Sequence, residues 1–317
     1  MGRQNPTVII ALGGNAISPK GETGTIEQQF SHTRSSLASL KHFVRQRYNI
    51  CITHGNGPQI GAELLKNENS EDLTPPLPLG ILVANTQGAI GYMIQQSLQN
   101  LLYTEDSNRE VVTFISQVKV DKNDAAILNP TKYIGKRYSK VEKEELQKRF
   151  DWEIIEQEKG EWRRVVSSPT PLYIFNGKSI KHLVEFGTIV IAGGGGGIPS
   201  YNDLDGNLQG LDGVIDKDMS AALLGRVIRA EELFIITDVD YVYLNFNSDK
   251  KKKITTASCQ DINKWLLNGE FGKGTMEPKI KAALYFLSHH GKKVIITSID
   301  NIKDAIKGKS GTIIRNT

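Results

Sequence analysis

Cysteine is scarce in this 317-residue chain: only Cys51 and Cys259 occur, and neither has a CxxC partner. That argues against a disulfide-built fold or a cysteine-ligated zinc site. Long apolar runs are missing too, and none approaches the roughly 18 residues that a membrane span needs. The start, Met1-Gly2-Arg3-Gln4-Asn5-Pro6, runs almost directly into a strand-like segment, so no signal peptide is expected. Pro6 stands where a myristoylation signal needs Ser or Thr. The six histidines form no metal pattern, so no protein-bound metal is expected, and no GxSxG nucleophile motif occurs. A net charge of +4, without a basic stripe interleaved with aromatics, is too small to argue for nucleic acid. It suits a small anionic substrate. The expectation is a cytoplasmic chain that binds neither nucleic acid nor membrane. Its hydrophobic content of 39% is enough to build a large core.

Short β-branched runs alternate with helical patterns. Strands are expected at Val8–Leu12, Ile50–Thr53, Val111–Val120, Thr188–Ala192, Leu233–Thr237, Val294–Thr297 and Thr312–Ile314. Helical patterns cover Thr25–Arg47, Ile81–Tyr103, Lys217–Arg229, Pro278–His290 and Asn301–Lys307. Near-continuous apolar strands suit burial on both faces, and strand–helix–strand order predicts a mostly parallel sheet between helical layers. The polar stretch from about Asn129 to Pro171 breaks the rhythm. It reads as a short exposed helix followed by a hairpin turning near Lys159-Gly160, forming a small subdomain inserted into one domain spanning 1–317. Lys250 to Lys253 read as a solvated loop.

Glycine placement carries the strongest chemical signal. Gly13-Gly14-Asn15, Gly55-Asn56-Gly57 and Gly193 to Gly197 each follow a predicted strand. One such turn is ordinary, but three at equivalent positions place bare backbone N–H groups along the edge where α/β sheets bind ligands. Familiar nucleotide signatures are absent. Gly55-Asn56-Gly57-Pro58-Gln59-Ile60-Gly61 is one residue too long for GxGxxG, and Lys303 stands where a Walker A ending at Ser310 needs its first glycine. Charged residues gather at the same edge. Asp216-Lys217-Asp218 opens a buried helix, and Asp218 can hold Lys217 in one rotamer and keep it charged. Lys279 follows Pro278 in the first turn of another helix, Thr237-Asp238 ends a strand, and Lys132 opens the insert, from which it could swing over the site.

Together, these segments resemble the carbamate kinases of the amino acid kinase superfamily. The likeness runs in order from Val8–Ala16, through Thr53–Gln59, Thr86–Tyr92, Asn129–Lys132, Ala192–Pro199, Val214–Asp218 and Thr237–Asp240, to Ser310–Thr312. It implies an α/β/α three-layer sandwich with about eight strands, mostly parallel, and a small protruding insert at 129–171, in a protein that is usually a homodimer. It implies that Gly13, Gly14, Asn15, Gly55, Asn56 and Gly57 cradle carbamoyl phosphate. It also implies that Lys132, Lys217 and Lys279 surround the transferred phosphoryl group, with Asp218 orienting them. Thr237, Asp238, Tyr241, Met276, Pro278 and Lys279 would line the ADP/ATP pocket, with Mg²⁺ carried on the nucleotide phosphates. The implied reaction is phosphoryl transfer between carbamoyl phosphate and ADP, typically in arginine catabolism. Two positions depart from the family pattern: Glu277 precedes Pro278, and Thr170 stands where a basic residue is usual. A sibling kinase for another carboxylate or phosphorylated small molecule, or a non-catalytic nucleotide sensor, are the competing readings, and Glu277 points toward the sensor.

Overall fold

A computed structural model describes residues 5–19, 21–150, 152–246 and 248–316. Its centre is an eight-stranded sheet. In spatial order the strands are Thr256–Ser258, Thr312–Arg315, Lys293–Ser298, Glu232–Thr237, Thr7–Leu12, Asn49–His54, Ile189–Ile191 and Val111–Thr113. Every pairing is parallel except that between Lys293–Ser298 and Thr312–Arg315. Helices cover both faces, which explains why Thr7–Leu12 and Asn49–His54 are buried at every position and mostly apolar. Along Thr7–Leu12, Ile9 and Ala11 pack under helices Lys217–Ile228 and Met276–Leu287. Val8, Ile10 and Leu12 pack on the other side, under Ile26–Leu37 and Leu79–Thr104.

The segment 132–166 forms a unit of its own. A three-stranded antiparallel sheet, in the order Lys132–Tyr138, Glu161–Val166, Ile154–Glu158, carries the helix Lys140–Phe150. Tyr138, Leu146 and Ile154 make its small core, while Ile134 and Val166 join Ile60, Leu64, Leu82 and Val83 of the main body. The Tyr138 hydroxyl donates to Glu68 at 2.6 Å, and Arg149 pairs with Glu71 at 2.7 Å, so the unit rests on the helix Gly57–Ser70.

Three expectations are corrected. Val111 to Val120 is two strands in different sheets: Val111–Thr113 edges the main sheet, and Gln117–Lys119 joins a four-stranded one. The break falls at Ser116, whose N–H donates to Gln87 (2.7 Å) and whose hydroxyl accepts from the Gly193 N–H (2.9 Å). Thr25 to Arg47 is bent by a 3₁₀ turn at Ala38–Leu40, which turns Leu37, Leu40 and Phe43 toward one core. Lys250 to Lys253 is exposed, as expected, but is only partly a loop: Lys252–Ile254 pairs with Val242–Leu244, Lys251 lies 4.1 Å from the Tyr243 ring centre, and Lys253 lies over Tyr241. Helices Gly57–Ser70, Gly177–Phe186 and Cys259–Leu267 were not anticipated as separate elements.

Candidate active site

Strands Thr7–Leu12 and Asn49–His54 run in register, Leu12 opposite His54, so their glycine turns emerge side by side. The Gly55 N–H donates to the Leu12 carbonyl at 2.8 Å. A side chain at Gly55 would bring its Cβ to 2.8 Å from the Gly14 nitrogen, a contact only glycine avoids. The third turn packs into the same corner. Thr53 donates to the Gly193 carbonyl (2.8 Å), Ser220 to the Gly196 carbonyl (2.6 Å), and Asn56 lies against Gly195, which has φ +64°. Asn56 also donates to Thr86 (2.9 Å) on the long helix Leu79–Thr104, and Asn15 donates to Asp238 (2.7 Å). Gly13, Gly14, Asn15, Gly55, Asn56 and Gly57 thus form one polar floor at the carboxyl edge of the sheet.

The lysines stand over this floor. Helix Lys217–Ile228 is anchored by buried Ala221, Ala222, Leu223, Leu224 and Ile228. Asp216 caps it by accepting from the Asp218 and Met219 N–H groups. Lys217, its first residue, donates to the Asp218 carboxylate (2.6 Å) and points at the Ala11 carbonyl (3.4 Å). Lys279, from the first turn of Met276–Leu287, donates to the other Asp218 oxygen (2.9 Å). Lys132 reaches in from the insert and pairs with Asp216 at 3.2 Å. Asp218 is only 2% exposed. Burial alone would raise its pKa, but Lys217 and Lys279 overcome that and hold it well below the usual carboxylate range. Burial lowers the Lys217 pKa against the pull of Asp218, whereas for Lys279 the aspartate outweighs burial and the pKa is raised. The arrangement is one carboxylate gripping the side-chain nitrogens of two lysines.

A cleft of about 960 Å³ opens beside Lys279, lined by Thr237, Asp238, Tyr241, Met276 and Lys279, with Tyr243 and Phe246 beyond. Pro278 does not line it, because it sits in the first helical turn on a different side from Met276 and Lys279. Glu277 also stays out of the cleft and pairs with Lys281 at 2.7 Å along its own helix. Thr170 is likewise engaged elsewhere, its N–H donating to Asp124 (2.8 Å). Among the described residues, no group of three or more His, Cys, Asp or Glu is arranged to hold a metal ion.

Two features escaped the sequence reading. Asp216 was legible as a helix cap but not as the partner of Lys132. His54, beside a glycine turn, carries no signal in the sequence that marks its surroundings. It is 1% exposed, and burial, with Lys217 nearby, pushes its pKa down to about 4. It is therefore neutral at physiological pH and adds no charge beside Lys217. Between pH 6.5 and 4 the unfolded chain takes a proton at His54 that the folded protein refuses. Stability is therefore full above that window and falls by up to about 3 kcal/mol as pH drops through it. His54→Asn should flatten this part of the Tm-versus-pH curve, and an unchanged slope would contradict the assignment.

The comparisons fit this geometry. The model of the "Amino acid kinase family" matches residues 6–298. A carbamate kinase of Pyrococcus horikoshii is 38% identical over 307 residues, 96% of this chain and 98% of that one. The "Carbamate kinase-like protein YahI" of Escherichia coli is 40% identical over 313 residues, 98% and 99% of the two chains. The structure of Giardia lamblia carbamate kinase bound to AMP-PNP superposes with a TM-score of 0.90 at 35% identity, covering 98% of each chain. With a lysine–aspartate–lysine centre over three interlocked glycine turns, and likeness along nearly its whole length, this chain belongs to the amino acid kinase family, among the carbamate kinases.

Proposed function

We propose that this protein catalyses reversible phosphoryl transfer between carbamoyl phosphate and ADP, forming ATP and carbamate. The observation that carries the reading is the Lys217–Asp218–Lys279 centre, which joins the glycine floor on one side to the Tyr241–Met276 cleft on the other. In the ATP-forming direction a β-phosphate oxygen of ADP attacks phosphorus. The bond from phosphorus to the carbamoyl oxygen breaks, and carbamate leaves as an oxyanion. Neither direction requires a general base, which suits a site whose histidine stays neutral and buried. The demands are in-line placement and neutralisation of charge on the transferred group.

In this reading Gly13, Gly14, Asn15, Gly55, Asn56 and Gly57 receive carbamoyl phosphate through backbone and amide donors. Lys132, Lys217 and Lys279 face the phosphoryl oxygens, and Asp218 fixes two of those lysines. Thr237, Asp238, Tyr241 and Met276 seat the nucleotide. Mg²⁺ arrives as part of the substrate, on the nucleotide phosphates. The pairing of Glu277 with Lys281 removes the feature that pointed toward a non-catalytic sensor.

Two reduced cysteines, and the absence among the described residues of any helix long and apolar enough to cross a membrane, are compatible with work in the cytoplasm. A homodimer that makes ATP during arginine breakdown is the setting that the family resemblance favours. An acceptor screen tests the substrate class. With Mg²⁺ and ATP, ADP should form with an ammonium bicarbonate mixture containing carbamate, but not with N-acetylglutamate or acetate. Turnover of either of those instead would replace the reading with that of a sibling kinase.

A further inference from the structure

One carboxylate serves two elements at the site. Through Oδ1, Asp216 accepts from the N–H groups of Asp218 (3.0 Å) and Met219 (3.2 Å), which sets the start of the helix bearing Lys217. Through Oδ2 it accepts from the Lys132 ammonium at 3.2 Å, from the first residue of the insert's first strand. Among the described residues, the other side-chain polar links between segment 132–166 and the body, Tyr138–Glu68, Arg149–Glu71 and Arg164–Asp212, involve none of the residues of the lysine centre. Lys132 is also the most exposed of the three lysines, with 38% of its side chain accessible against 13% for Lys217 and 18% for Lys279. Burial confines the other two, whereas Lys132 has a flexible four-carbon stem and a single anionic partner among the described residues.

We propose that Asp216 is a positioning residue for phosphoryl transfer, one that holds Lys132 and thereby registers the insert against the amino end of the Lys217 helix. The inference rests on the reading of Lys132 as a group that faces the phosphoryl oxygens. It has a kinetic signature. A carboxylate beside an anionic substrate weakens ground-state binding, while a lysine held in place favours the transition state. Removing the charge of Asp216 therefore lowers kcat without raising KM for carbamoyl phosphate, which a merely structural residue would not do.

Asp216→Asn separates the two jobs, because asparagine caps a helix as well as aspartate but does not carry the charge that holds the ammonium. The expected result is a kcat about 10-fold lower, a smaller loss than removal of a whole preorganised donor. KM for carbamoyl phosphate should stay at or below the wild-type value, with Tm within a few degrees. Asp216→Ser, another good cap, should behave alike and covers a folding failure of the first variant. In a Lys132→Ala background, Asp216→Asn should cause no further loss of kcat. A wild-type kcat in both capped variants, a raised KM, or the same loss repeated without Lys132 would each overturn the proposal. If the wild-type protein itself makes no ATP from carbamoyl phosphate and ADP, the functional reading fails. If it does and both capped variants match it, only the role of Asp216 fails.

Discussion

Lys217→Ala is expected to lower kcat by about 10²–10³-fold, the loss typical of removing one preorganised donor from a site where charge develops. Lys217 is held where that charge forms, donating to Asp218 at 2.6 Å from the first residue of a helix whose apolar face is buried. Its loss leaves Asp218 paired with Lys279, so no uncompensated charge is created and the protein should stay folded. KM for ADP should change little, since Lys217 does not line the Tyr241–Met276 cleft. Lys217→Arg should not restore the rate: a planar fork cannot stand in for a compact ammonium placed between Asp218 and the Ala11 carbonyl. Steady-state kinetics with a thermal melt would check both points. A folded variant with near-normal kcat would remove Lys217 from the mechanism.

Asp218→Ala should do more damage, because two ammonium groups lose the carboxylate they share. Breaking a buried ion pair from one side costs about 3–5 kcal/mol, so a marked fall in Tm should accompany the loss of activity. Asp218→Asn is the more informative change. It keeps the shape and some of the hydrogen bonding but removes the charge that opposes burial at Lys217. Burial and Lys279 already lower the Lys217 pKa, and without the aspartate nothing of equal strength restores it. The alkaline fall in activity should therefore come at lower pH in Asp218→Asn than in the wild type. In the wild type the carboxylate's share of stability is present above the ordinary carboxylate range and lost only as pH falls below it. Coincident alkaline limbs for the two proteins would show that Asp218 does not keep Lys217 charged.

The main sheet was legible in the sequence because strands covered on both faces are largely apolar, as Val8–Leu12 and Leu233–Ile236 are. The same signal misled at Val111–Val120, where the apolar run continues although the chain changes sheets at Ser116. That break is made by Gln87 and Gly193, remote residues that no local pattern reveals. The site divides in the same way. Adjacent residues such as Lys217 and Asp218 could be paired from sequence order. Lys279 meets Asp218 from 61 residues away, and Lys132 meets Asp216 from 84, so the first was reached through family resemblance and the second was not reached at all. Lys251 and Lys253 stay exposed but lie over the Tyr243 and Tyr241 rings, a placement set by the hairpin pairing that a run of four lysines does not disclose.

In the proposed function, the lysine–aspartate–lysine centre moves a phosphoryl group between carbamoyl phosphate and ADP. Mixing the purified protein with carbamoyl phosphate, ADP and Mg²⁺, and following ATP by a coupled readout against a no-enzyme control, tests it most directly. The expected result is enzyme-dependent ATP formation that falls about 10²–10³-fold in Lys217→Ala. A folded wild-type protein that binds ADP yet forms no ATP would contradict it.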